Sequence, residues 1–239
     1  MYQETSKKII QLYPYQEKAV NSIFEMMQSM DQGENILFQL PTGGGKTVIF
    51  SEIARKYLKT FDKKVLILTH RVELMKQTSN ALGDVDVRTK LIDRYVRKLD
   101  EQENYQCFVA MVETLNNRLA ENSNYIKDIG LVIVDEAHYN SFRKIFQYLD
   151  DATILGVTAT PLSSNKNLPL KDNYKQLLVG ESIASLIKDG YLSKATTYCY
   201  DVNLGGLKVG INGDYTVGSS ERLYGTDFMI GKLVAAYKE

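Results

Sequence analysis

The sequence predicts an α/β domain, a mostly parallel sheet with helices on both faces, and three observations predict it. Short apolar runs alternate with helical stretches through most of the chain, the order that right-handed crossovers turn into a parallel sheet. The runs at 64–69 (KVLILT), 106–111, 131–134 and 153–157 are continuously apolar rather than alternating, which suits strands covered on both faces. A glycine-rich turn separates the first strand candidate from the helix after it.

Element by element, 16–30 reads as a helix, with Ala19, Val20, Ile23, Phe24 and Met27 on one face and Pro14 just ahead of it. A strand follows at 35–40, then the glycine turn and a helix to about Thr60. The strand at 64–69 is followed by a helix at 73–82. Past Pro161, residues 163–172 are polar and loop-like, and 181–188 (ESIASLIK) form another amphipathic helix. Residues 201–220 hold five of the sixteen glycines and read as a connector or a glycine-rich hairpin. Arg88, Lys90, Arg94, Arg97 and Lys98, interleaved with Asp86, Asp93 and Asp100, read as a solvated helix face.

Composition narrows the function classes. The chain has 239 residues, 44% hydrophobic and 24% charged, with 29 Lys+Arg balancing 29 Asp+Glu. This excludes disorder, collagen and a disulfide-stapled mini-protein. It also removes a globally basic surface, so any nucleic-acid binding must use a local groove. Cys107 and Cys199 are too few and too far apart for a zinc site and read as buried small residues. The charged N-terminus lacks a signal-peptide core, and no apolar run approaches the roughly 20 residues of a membrane helix. A soluble, cytoplasmic protein with no membrane partner is expected.

Two motifs carry chemistry. Leu40-Pro41-Thr42-Gly43-Gly44-Gly45-Lys46-Thr47 lies between the first strand and its helix, where backbone N–H groups and a helix N-terminus point at an anion. Lys46 would reach the β- and γ-phosphates of ATP, and the Thr47 hydroxyl would ligate Mg²⁺. The slot where the usual phosphate loop has its first glycine holds Leu40. The second motif, Asp135-Glu136-Ala137-His138, ends the apolar strand at 131–134. Open α/β sheets bind ligands at that edge. Asp135 would hold Mg²⁺, and Glu136 would position or deprotonate the attacking water. His138 and the hydroxyls of Thr158-Ala159-Thr160 stand at neighbouring strand ends, where they could link nucleotide state to another site.

In this order, Thr42–Thr47, Asp135–His138 and Thr158–Thr160 resemble motifs I, II and III of superfamily two DEAD/DEAH-type helicases and translocases. That family does not require the early glycine. The resemblance implies a RecA-like P-loop NTPase fold, ATP and Mg²⁺ as cofactors, and an ATP hydrolase that moves on nucleic acid. Leu12-Tyr-Pro-Tyr-Gln16 resembles the adenine-recognition segment, with Gln16 reading the adenine edge and Tyr13 stacking on it. Thr69-His-Arg-Val-Glu-Leu74 and Val112-Glu-Thr-Leu115 are similar to backbone-contacting segments, which assigns phosphate contacts to Arg71 and Thr114. The wording HRVEL, and Glu181–Leu192 (ESIASLIKDGYL), resemble the branch of restriction-enzyme motor subunits and DNA-repair translocases. That favours double-stranded or branched DNA over RNA, with a nuclease or other subunit as a further partner.

The family's second RecA-like domain, with its arginine fingers, has no counterpart after Pro161. Residues 1–200 are therefore expected to form the first RecA-like domain, and 201–239 a linker and the truncated start of the second. ATP hydrolysis by this chain alone is expected to be very weak. The alternative reading is a nucleotide-gated module that binds nucleic acid or a partner without turnover.

Overall fold

The computed structural model describes residues 11–30, 34–149, 151–197, 204–210 and 214–238. The chain divides into two units, Met1–Ser193 and Lys194–Glu239. The first unit runs α1 (Pro14–Ser29), β1 (Ile36–Gln39), α2 (Lys46–Thr60), β2 (Lys64–Thr69), α3 (Val72–Asp84), β3 (Thr89–Ile92), β4 (Cys107–Met111), α4 (Val112–Glu121), β5 (Ile129–Asp135), the short α5 (Arg143–Phe146), β6 (Thr153–Thr158), β7 (Gln176–Val179) and α6 (Ile183–Lys188). Seven strands form one sheet in the order β3-β4-β2-β5-β6-β1-β7, and every pair is parallel. The predicted α/β architecture is what the chain adopts.

Because successive strand residues point to opposite faces, β2 divides cleanly. Val65 and Ile67 join the core beneath α1, α2 and α3, while Leu66 and Leu68 join the core beneath α4 and α5. The first core buries Ile23 and Phe24 from α1, Ile49, Phe50 and Ile53 from α2, and Met75 and Leu82 from α3. The second takes Val112, Leu115 and Leu119 from α4 and Ile145 from α5. With all strands parallel, one edge of the sheet collects the segments that follow β1, β2, β4, β5 and β6.

Two differences from expectation have local causes. The five cations at 88–98 do not share a helix face. Thr89–Ile92 instead pair with Cys107–Ala110 as an edge strand, and the remaining residues turn away from it. β7, which is half exposed at the other edge, is only four residues long and carries little apolar pattern, whereas α4 does carry a helical stripe in Val112, Leu115 and Leu119.

In the second unit an antiparallel bridge joins Val209 to Tyr215, followed by α7 (Val217–Tyr224) and α8 (Asp227–Lys238). The connector or hairpin at 201–220 thus includes the first turn of a helix. The Ser219 hydroxyl accepts the Lys208 N–H at 3.0 Å and the Thr216 hydroxyl at 2.9 Å, tying the bridge to α7. Cys107 is a buried free thiol, whereas Cys199 and the first ten residues lie outside the described residues. No described helix is long and apolar enough to cross a membrane.

Candidate functional site

The loop from Pro41 to Gly45 turns sharply between β1 and α2, and its glycines are there for conformation. Gly43 and Gly45 have φ of +82° and +80°, left-handed values that cost an L-residue about 1–2 kcal/mol. A Cβ on Gly45 would also overlap the side-chain amide of Gln16. Gly45 N-caps α2 with no side-chain cap and no acid in the first turn. The first N–H groups of a fifteen-residue helix are thus left to an external acceptor. An anion fits that position. Leu40 is fully buried, packs against Gly44 and donates its N–H to Thr158 O at 3.0 Å. It extends the strand, so the loop has no need of glycine there. Lys46 Nζ reaches back to Leu40 O at 3.4 Å.

Gln16 is buried against this loop. Its Oε1 accepts the Tyr13 N–H at 3.0 Å, and its Nε2 lies 3.4 Å from the Tyr15 hydroxyl, which donates to Gly44 O at 2.9 Å. Past α6, Gly190 takes φ +78°, and the N–H groups of Tyr191 and Leu192 return to Leu186 O at 2.8 and 3.0 Å. That turn puts the Tyr191 ring 4.8 Å from Tyr13 and 4.9 Å from Tyr15, and Leu192 against Gly43. Tyr15, Tyr191 and Leu192 belong to the loop's surroundings without having been singled out for it. Only the proximity of Tyr15 to Gln16, and of the other two to the ESIASLIKDGYL segment, hinted at them. Thr42 and Thr160 line a neighbouring cleft of about 610 Å³, together with Val179–Ala184.

Asp135 ends β5, only 7% exposed. Burial, and then the neighbouring Glu136 charge, push its carboxyl up to about 6, while the Lys46 charge pulls the other way. A buried carboxylate beside a second one, with one nearby ammonium, is a place a divalent cation fits. Glu136 has φ +53° and donates its N–H to Asp135 Oδ1 at 3.0 Å. This left-handed residue turns the chain so that His138 Nδ1 lies 3.3 Å from Glu136 Oε2 and 3.1 Å from Thr158 Oγ1. The Thr158 hydroxyl in turn meets both the N–H and the carbonyl of Thr160 at 3.1 Å. Its proton goes to that carbonyl, so it accepts from His138 Nδ1–H.

Tyr139 extends the contacts sideways, its ring 4.2 Å from His138 and 4.5 Å from His70. Burial, then Arg71, lower the pKa of His70. Arg71 N-caps α3 and is exposed; Thr114 stands in the first turn of α4. They follow the paired strands β2 and β4, on the far side of β5 from the glycine loop. The structure thus gathers Gln16, Thr42–Thr47, Asp135, Glu136, His138, Thr158 and Thr160 in one region, and sets Arg71 and Thr114 along the same edge but apart from it.

The family described as "Type III restriction enzyme, res subunit" matches residues 9–163. The chain belongs to that family. It is a superfamily two, RecA-like helicase domain, in keeping with the family's curated and structural neighbours. IRC3 of Saccharomyces cerevisiae, provisionally named an ATP-dependent helicase, is 30% identical over 200 residues, covering 77% of this chain and 28% of its own. An Escherichia coli type I restriction enzyme EcoAI endonuclease subunit is 28% identical over 213 residues, covering 81% of this chain and 25% of its own. Among solved structures, the type ISP restriction-modification enzyme LlaGI with a DNA substrate mimic superposes with a TM-score of 0.57 at 18% identity, covering 76% of this chain and 21% of that one. That likeness shows the fold. The chain spans about a quarter of the length of these two curated relatives.

Proposed function

We propose that this chain is the ATP-binding first motor domain of an ATP-dependent DNA translocase or helicase, with ATP as substrate and Mg²⁺ as cofactor. The observation that carries the reading is the uncapped α2 N-terminus and Lys46 facing the buried Asp135 and the half-buried Glu136 across one sheet edge. The amides of Gly43–Gly45 and the Thr42 segment cradle the β- and γ-phosphates, and Lys46 supplies the mobile positive charge. Thr47 and Asp135 would hold Mg²⁺, which would supply positive charge to the phosphate oxygens when bound. Glu136 orients and deprotonates the attacking water, while His138, Thr158 and Thr160 tie that carboxylate to the end of β6. Gln16 reads the adenine edge, and Arg71 and Thr114 hold the nucleic-acid backbone. The relatives' names, restriction enzyme subunit above all, support DNA over RNA.

Residues 1–200 serve as the first RecA-like domain and 201–239 as a linker and the start of a second, which would bring the arginine finger. A finger is worth 10³–10⁵ in turnover, so hydrolysis by this chain alone is very weak. The test is equilibrium binding of a fluorescent ATP analogue with and without Mg²⁺, together with a turnover assay. Magnesium-dependent binding that Lys46→Ala abolishes is the expected result. Robust DNA-stimulated hydrolysis by residues 1–239 would overturn the incomplete-motor reading, and Lys46-independent binding would overturn the nucleotide site.

A further inference from the structure

The cations of 88–98 separate into two groups. Arg88 and Lys90 both face the Tyr105 ring, 4.7 and 5.5 Å from its centre. Arg94, Arg97 and Lys98 belong to the turn that leaves β3, and all three are exposed. This turn is firmly held. Ile92 and Leu99 are buried at its two ends. Arg118 on α4 donates from Nε to Val96 O and from Nη2 to Arg94 O, each at 3.2 Å, and the Tyr125 hydroxyl donates to Val96 O at 3.0 Å. The Asp93 carboxylate is taken up by the Tyr95 N–H at 2.9 Å.

What this framework presents outward is chemically specific. Tyr95 is 74% exposed, an unusual setting for a large ring, and the Arg94 guanidinium sits 4.7 Å from its centre and donates to its hydroxyl. Arg94 covers one face of the ring and leaves the other to solvent. Among the described residues, none of Arg94, Arg97 and Lys98 has a carboxylate within 4.0 Å. An aromatic ring backed by a guanidinium suits a planar base, and unpaired cations beside it suit phosphates. An acidic peptide would use the cations but leave the ring without a purpose.

We propose that Arg94, Tyr95, Arg97 and Lys98 form a contact site for a single nucleic-acid strand, with a base stacked on Tyr95 and phosphates on the three cations. Position supports it. Ile92 pairs with Ala110, so the turn leaves the sheet where β4 hands over to α4. Arg118, which holds the turn, lies on that same α4, the helix that carries Thr114. The site thereby extends the strand path beyond Arg71 and Thr114, and in this it rests on the motor reading above. The ordering hydrogen bonds mean that little loop entropy is lost on binding.

The experiment is fluorescence anisotropy of a labelled oligothymidylate with the 239-residue chain over a range of salt, run beside binding of the fluorescent ATP analogue. Tyr95→Ala is expected to weaken strand binding about tenfold with little change in salt dependence, because stacking carries no charge. Tyr95→Phe should keep it. Arg97→Gln with Lys98→Gln should flatten the plot of log affinity against log salt by about 1.4, at about 0.7 per phosphate contact on a single strand. Unchanged affinity in these variants while Arg71→Ala weakens binding overturns this site and leaves the motor reading intact. Nucleotide binding with no strand binding by the unaltered chain also overturns it. Loss of nucleotide binding alone strikes the motor reading instead. An equal loss of duplex and single-strand affinity in Tyr95→Ala overturns the stacking assignment.

Discussion

His138 Nδ1 lies 3.1 Å from Thr158 Oγ1, a bond that joins the end of β5 to the end of β6. The same nitrogen is 3.3 Å from Glu136 Oε2, so one imidazole touches both the carboxylate proposed to handle water and the end of β6. A shift of β6 relative to β5 must therefore either stretch this bond or reorient Glu136.

In a protein that joins this domain to its second RecA-like partner, His138→Ala should cut nucleic-acid stimulation of ATP turnover by about tenfold, the order of a single coupling contact. ATP affinity should change little. Thr158→Val should do the same, and the double variant should be no worse than either single one, since both remove one bond. Stimulation that survives in His138→Ala would remove the imidazole from the coupling.

Gly45 sets a different kind of constraint. Its φ of +80° and the amide of Gln16 above it both oppose a side chain. Gly45→Ala should lower stability by about 2 kcal/mol from backbone strain and displacement of Gln16, seen as a fall in Tm. Gly83, near the end of α3, meets nothing within 4 Å and has no positive φ. Gly83→Ala should be neutral or stabilising by up to about 1 kcal/mol. Equal effects at the two positions would show that the loop carries no such constraint.

The two motifs were legible because each is a contiguous run, and β2 and β5 were legible because strands buried on both faces leave unbroken apolar stretches. At the sheet edges that signal fades. Thr89–Ile92 buries only Ile92, and Gln176–Val179 only partly covers alternate residues. The basic residues at 88–98 repeat often enough to suggest a helix, and only pairing with β4 decides otherwise. Contacts such as Tyr191 on Tyr13, or Tyr139 on His70, join segments far apart in the chain. No local pattern encodes them; they follow from the strand order.

Cys107 gives a probe of that core. It is fully buried in β4, and burial pushes its thiol up to about 12. With Cys199 replaced by serine, the native chain should not react with a thiol reagent at pH 8, because the reactive thiolate is absent and shielded. Reaction should begin only on opening of the sheet and track denaturant unfolding. Rapid labelling of the native chain at pH 8 would contradict the packing of β4 between β3 and β2.

The Asp135 carboxyl makes stability depend on pH in a direction opposite to that of an ordinary paired acid. Its folded value is about 6 against a usual 3.8, so the folded state holds the proton more tightly than the unfolded chain. Its contribution is therefore fully present below about pH 3.8 and is lost as pH rises through about 6. The difference is on the order of 3 kcal/mol at 1.36 kcal/mol per unit. In chelator-treated, nucleotide-free protein, Tm should carry a falling component between pH 4 and pH 7 that Asp135→Asn lacks. At pH 8 the Asn variant should be the more stable of the two. Adding Mg²⁺ with an ATP analogue at pH 8 should restore stability to the unaltered chain and much less to Asp135→Asn, because only the carboxylate offers the cation a charge. Superimposable pH profiles for the two proteins would show that Asp135 is not held as a strained buried acid, and would remove the buried-carboxylate argument for a cation at this position.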